Sequence, residues 1–245
     1  MYTSARKDVP KIAWKGFLLL ATLTLAIISP DVLLTVFTYN IFSLQFFHIL
    51  WSIVILILIK RFIPALNPKP SLGKIYSRNY AAAGDNSVSK QHKLKEFKEK
   101  MNRGAIRVAV YWTVLVLIIG VLYYTRIINM LALFIIVIFF IFMDQFCISV
   151  WCPFQWIIDN KCCTTCRINN WGYLMAFSPL IFIPSFWTYS IIGLSVIAII
   201  QWEYIFYRHP ERFYELFNAN LMCKHCTMQC SRVRTRRSTH ARETG

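Results

Sequence analysis

The sequence predicts an all-α integral membrane protein with about six transmembrane helices in three hairpins. Three observations predict it. The 245 residues are 57% hydrophobic and only 16% charged, where a soluble domain carries about 25% charged residues, and mean hydropathy is +0.48. Six apolar stretches approach the about 20 residues needed to cross about 30 Å of hydrocarbon. The basic residues then sort onto one side of those stretches. A disordered chain is excluded by its apolar content, and an ordinary soluble enzyme by its lack of polar surface. Eight glycines are few for phosphate-cradling loops. No hydrolase triad, dinucleotide fold, zinc-protease helix, transporter repeat or second soluble domain is visible.

Residues 1–63 read as the first hairpin. Its spans are Trp14–Thr38, interrupted by Pro30-Asp31, and Ile41–Ile63, which carries His48. The first run follows a basic start, is too long for a cleavable signal's core, and reads as a signal anchor. Residues 64–104 read as a basic cytoplasmic linker. Turn chemistry runs from Asn67 to Lys74. The Gly73-Lys74 pair lacks the upstream glycine and following hydroxyl of a phosphate loop. Ser87–Arg103 reads as an amphipathic helix capped by Ser89, with Leu94, Phe97 and Met101 on one face. That helix suits the membrane surface, the cysteine region, or an extension of the third span.

Residues 105–147 read as the second hairpin, with spans Ile106–Thr125 and Ile127–Cys147 and with Asp144 near the end of the latter. Residues 148–170 form a Cys-rich loop. Residues 171–207 read as the third hairpin. Its spans are the short, Pro179- and Pro184-containing Trp171–Phe186 and then Trp187–Tyr207, with Glu203 near its end. Residues 208–245 form a Cys-rich basic tail. With both termini cytoplasmic, 26 of the 27 Lys and Arg residues fall on one side and only Arg126 faces out, as the positive-inside rule requires. The expected location is the cell membrane. The net charge of +16 then predicts attraction to anionic headgroups. Nucleic acid is not an expected partner, because a basic juxtamembrane tail accounts for Arg232, Arg234, Arg236 and Arg237.

The eight cysteines carry the chemistry. All follow residue 146 and fall in two groups. Cys147, Cys152, Cys162, Cys163 and Cys166 lie between the fourth and fifth spans. Cys223, Cys226 and Cys230 follow the sixth. An outward-and-back excursion by the last two spans returns the second group to the first. Structural disulfides are disfavoured in a reducing cytoplasm. Cys163-x2-Cys166 with Cys223-x2-Cys226 gives two knuckles suited to a tetrahedral zinc site. Eight thiolates equally supply two iron–sulfur clusters of four ligands each, which is the favoured expectation. The tail's C-x2-C-x3-C is similar, over a few residues, to the later part of a bacterial-ferredoxin ligand run. It has one cysteine fewer and no proline after the last. The expected ligands are Cys152, Cys162, Cys163, Cys166, Cys223, Cys226 and Cys230, with Cys147 as a further candidate.

Ionisable groups within spans are costly and have partners. At about 1.5 Å per residue, Asp31 and His48 share a depth roughly 10 Å below the outer surface, as a proton-handling or quinone-contacting pair or as a plain interhelical hydrogen bond. Asp144 and Glu203 lie near the inner ends of their spans, facing interfacial basic residues or carrying protons to a redox centre. The functional expectation is an electron-transferring membrane metalloprotein with a redox partner such as quinone. One alternative is a non-enzymatic assembly factor or transporter subunit stapled by structural zinc. Another is an interfacial lipid-modifying enzyme.

Overall fold

The computed structural model describes residues 5–41, 44–84, 87–160 and 162–222. The chain is built from helices, apart from a two-residue ladder pairing Asn40 with Gln45 and Ile41 with Leu44. In order they are α1 Ala5–Ile28, α2 Pro30–Thr38, α3 Phe46–Phe62, α4 Pro70–Gly73, α5 Val88–Tyr124, α6 Met130–Ser149, α7 Phe154–Ile158, α8 Gly172–Phe177 and α9 Phe186–Arg208. Short 3-10 turns connect them. Among the described residues, four helices are long and apolar enough to cross a membrane: α1 from Pro10, α5, α6 and α9.

Three of the six expected spans depart from a single long helix, for local reasons. The first span breaks at Ser29, where Pro30 starts α2, since proline cannot donate the amide that a continuous helix needs. The second shortens to the 17 residues of α3. The fifth becomes the six residues of α8 followed by a 3-10 turn over Ser178–Phe182, in keeping with Pro179 and Pro184. The linker helix is not separate either. It runs straight into the third span as the 37-residue α5, and its cap is Ser87 rather than Ser89. Ser87 wins because its hydroxyl accepts from the Lys90 amide.

Packing does not follow the hairpins alone. α1 lies along α6, and α3 along α9. The indole N–H of Trp51 donates to the Ser190 hydroxyl at 2.8 Å, joining α3 to α9. That of Trp112 donates to Ser178 at 3.1 Å, joining α5 to the 178–182 turn. Such bonds hold helices in lipid, where apolar burial gives no net drive for association. Side chains such as Leu20, Leu56, Leu117 and Ile200 point outward and stay exposed. So large a bare apolar surface suits hydrocarbon rather than water.

Two cores stack along the bundle. One, around Leu58, Ile119, Leu133, Val137, Leu180 and Ile191, fills the span region. The other, around Ile75, Met101, Val108, Ile158, Trp202 and Phe213, lies at one end. There the segments 64–84, 150–160, 162–171 and 209–222 fold into a polar cap. Asn67 closes the end of α3 by donating to the carbonyls of Lys60 and Ile63, both at 2.8 Å. This satisfies groups that every helix C-terminus leaves open. Residues 81–83 run antiparallel to 217–219, with Ala83 N–H to Phe217 O at 3.0 Å and Ala219 N–H to Ala81 O at 2.8 Å. The region expected to be a linker is therefore half of a folded cap.

α7 reaches α5 only because Gly104 has no side chain. A Cβ there would meet the Ile158 Cα at 2.8 Å. Gly104→Ala is expected to lower stability by about 1–3 kcal/mol through overpacking. Gly193→Ala on α9 meets nothing within 4 Å and should leave the melting temperature in detergent unchanged or raised. Equal melting of both variants and the parent would contradict this packing.

Candidate thiol site

α6 ends at Ser149 and the chain turns back over Val150 and Trp151. This turn places Cys152 beside Cys147, with the Cys147 thiol donating to the Cys152 sulfur. The loop after α7 is organised by Asn160. Its carbonyl oxygen accepts from the Cys162 amide at 3.1 Å, and its NH2 donates to the Cys162 carbonyl at 3.2 Å. A tight turn then closes with Cys166 N–H to Cys163 O at 3.3 Å. The result is that Cys147, Cys152, Cys163 and Cys166 line one cavity of about 200 Å³. Apolar residues such as Trp112, Phe140 and Met175 form its other walls. Cys162 is buried beside that cavity and contacts the Thr164 hydroxyl at 2.7 Å. All five of these cysteines are free thiols.

Behind the thiols lies Lys74, which is 1% exposed. Its ammonium donates to Thr164 O at 2.9 Å and Cys166 O at 2.7 Å. It also sits 5.1 Å from the Trp202 ring centre and 5.0 Å from that of Phe213, close enough for cation–π attraction. Among the described residues no carboxylate pairs with it; its titratable neighbours are the thiols of Cys166, Cys162 and Cys163. Burial lowers its pKa to about 8, against the opposing pull of those thiols. Sequence reasoning missed Lys74, since nothing distinguishes it from the other basic residues of its segment.

Burial works the other way on the thiols. It pushes Cys163 up to about 12 and Cys166 up to about 11, with Lys74 opposing both shifts. Cys152 is lowered, first by the Cys147 thiol and then, against burial, by the N–H groups of Phe154 and Gln155. In the metal-free protein Cys163 and Cys166 are therefore protonated and weakly nucleophilic at neutral pH.

The polar candidates fall in different places. Asp144 lines the same cavity and lies against Gly172, where a Cβ would sit 2.5 Å from its Oδ1. Lys15 and Arg61 are its nearest cations. Glu203 is held by Arg167, with Nε at 2.8 Å from its Oε2, and by the Trp171 indole at 3.0 Å from its Oε1. Arg167 in turn donates to Asn102, and its carbonyl accepts from Trp202. Glu203 thus ties α9 to the cysteine loop. His48 accepts from the Gln45 amide at 3.2 Å, capping α3, and packs on the Phe47 and Trp187 rings. Asp31 lies exposed in the first turn of α2. Among the described residues no hydrogen bond or ion pair joins it to His48.

Among the described residues no three His, Cys, Asp or Glu side chains group closely enough to hold a metal ion. Cys223, Cys226 and Cys230 lie outside the described residues. Met222, immediately before them, belongs to the cap. The 3-10 turn over Ala219–Leu221 packs on α4, directly before Lys74. No family model, curated protein or solved structure matches this chain.

In metal-free folded protein, iodoacetamide should label Cys163 and Cys166 slowly through pH 9 and faster only above about pH 11. The unfolded chain should accelerate near the ordinary value of 9.0. The same shifts set stability. Between pH 9 and the folded values the unfolded chain binds fewer protons at these thiols, so they lower stability as pH rises. Lys74 acts oppositely between about 8 and 10.5, where the unfolded chain binds more protons. Labelling of both thiols at unfolded rates at pH 9 would contradict their burial.

Proposed function

We propose that this is a multi-pass cell-membrane metalloprotein whose thiolate centre forms between the 162–166 loop and the tail cysteines. In this reading both termini and the cap are cytoplasmic, with the basic cap surface against anionic headgroups. Six apolar segments cross or enter the bilayer, the fifth and sixth returning the tail to the cap. Cys163 and Cys166 supply one pair of thiolates, and Cys223 and Cys226 the other. An iron–sulfur cluster takes four such ligands and would exchange electrons with a membrane redox partner.

The single observation that carries this reading is Lys74. A buried ammonium without a counter-charge costs several kcal/mol, and this one faces three thiols rather than a carboxylate. Metal binding deprotonates its thiol ligands. The centre would then provide the negative charge that Lys74 lacks, and Lys74 would offset the charge of the centre. The position of Met222 in the cap adds support, because the tail cysteines follow within eight residues of it.

Anaerobically purified protein is expected to be brown and to contain iron and acid-labile sulfide. Cys163→Ser and Cys226→Ser should each lose most of that metal while keeping the helical circular-dichroism signal. Lys74→Met, if it folds, should shift the midpoint potential of the centre downward, because a nearby positive charge favours the reduced state. Colourless protein with one zinc per chain would replace electron transfer with a structural staple. Full metal content in both cysteine variants would remove the proposed ligand set.

A further inference from the structure

The four cavity thiols are not equivalent. Cys163 and Cys166 lie in the loop braced by Lys74. Cys147 and Cys152 are a separate pair in mutual contact across the end of α6. Nothing in the preceding proposal requires them as ligands. The cavity they share borders the outer face of the bundle, since its lining includes Phe139 and Ile148 of α6, which are 42% and 38% exposed. The rest of its membrane-side wall is apolar and aromatic. Only sulfur, the Asp144 carboxylate and Asn169 add polar character.

The size is informative. An apolar cavity of about 150 Å³ admits a benzene ring, and this one measures about 200 Å³. One substituted six-membered ring therefore fits. Trp112 and Phe140, tilted by 58° with ring centres 4.9 Å apart, give it an aromatic wall. A dithiol in contact with a ring-sized apolar cavity, entered from lipid, is matched to a lipid-soluble two-electron acceptor.

We infer that Cys147 and Cys152 are a redox-active dithiol, oxidised to a disulfide by a quinone that enters the cavity from the bilayer. The step balances. Both S–H bonds break and one S–S bond forms between Cys147 and Cys152, with the quinone as the two-electron acceptor. The two thiols lose two electrons and two protons, and the quinone takes both to become the hydroquinone. A redox-cycling disulfide is compatible with a reducing compartment, where structural ones are not.

The test uses full-length reduced protein in lipid nanodiscs, without oxygen, mixed with decylubiquinone. That ring is fully substituted, so thiols cannot simply add to it. The expected result is loss of two titratable thiols per chain, formation of one hydroquinone, and a peptide linking Cys147 to Cys152 that is 2 Da lighter than its reduced form, as two lost hydrogens require. Cys147→Ser and Cys152→Ser should each abolish hydroquinone formation. Metal content, measured on the same samples, should not change. Retention of both thiols after quinone treatment of the wild-type chain would overturn the inference, and this reading needs no variant to fold. A disulfide formed by water-soluble diamide but not by decylubiquinone would overturn it equally, because the lipid-side acceptor is then wrong. Disulfide formation in protein without metal would sustain the dithiol while removing the metal centre, so the two proposals fail separately.

Discussion

The Lys74 ammonium, held by the carbonyls of Thr164 and Cys166, is the contact on which the arrangement of the cap depends. It joins a loop that follows the second apolar segment to one that follows the fourth. Trp202 and Phe213, from the end of α9 and the segment beyond it, close over the same charge. Three distant parts of the chain thus meet at one cation. Such a group is costly to bury, and it is tolerated where every surrounding dipole and ring is already placed. The Glu203 cluster with Arg167 and Trp171 does similar work one layer closer to the span core. Among the described residues, no buried side-chain nitrogen or oxygen lacks a partner.

This polar cap and the apolar bundle solve different problems. In the bundle, backbone groups are satisfied within each helix, and outward side chains need only be apolar. In the cap, the chain is irregular, and its polar atoms find partners through Asn67, Asn79, Asn160 and Asn218. The thiol cavity lies at the junction of the two. It has a hydrocarbon wall from α5, α6 and α8 and a polar floor from the cysteine loop. That junction is where a lipid-soluble molecule and a charged cap can meet, and it explains why thiols of very different surroundings share one space.

Much of the architecture was legible in residue order. The apolar runs marked α1, α5, α6 and α9, and the cysteine spacing marked the loop that holds the thiols. Pro30, Pro179 and Pro184 signalled the places where regular helix fails, although their effect on span number could not be weighed without neighbours. The burial of part of 64–104 was not legible, for a clear reason. Its lysines, asparagines and turn residues have the composition of a solvated loop, and Lys74 is buried by contacts with residues ninety or more positions away. His48 was legible as an ionisable group in an apolar run, but its bond to the Gln45 amide at the start of α3 came only with the structure.

By itself, the sequence determined that this chain carries segments apolar enough to cross a membrane, because hydrophobic runs are a property of residue order. It also determined that sulfur is concentrated in two strips. Only the tertiary structure decided which thiols share a cavity, that a lysine rather than a carboxylate stands behind them, and that α1 packs on α6 and α3 on α9. Those outcomes depend on side chains brought together from distant positions, where burial reverses what a residue would do in water. Periodicity and spacing report what lies near along the chain, and the chemistry at this site comes from what lies near in space.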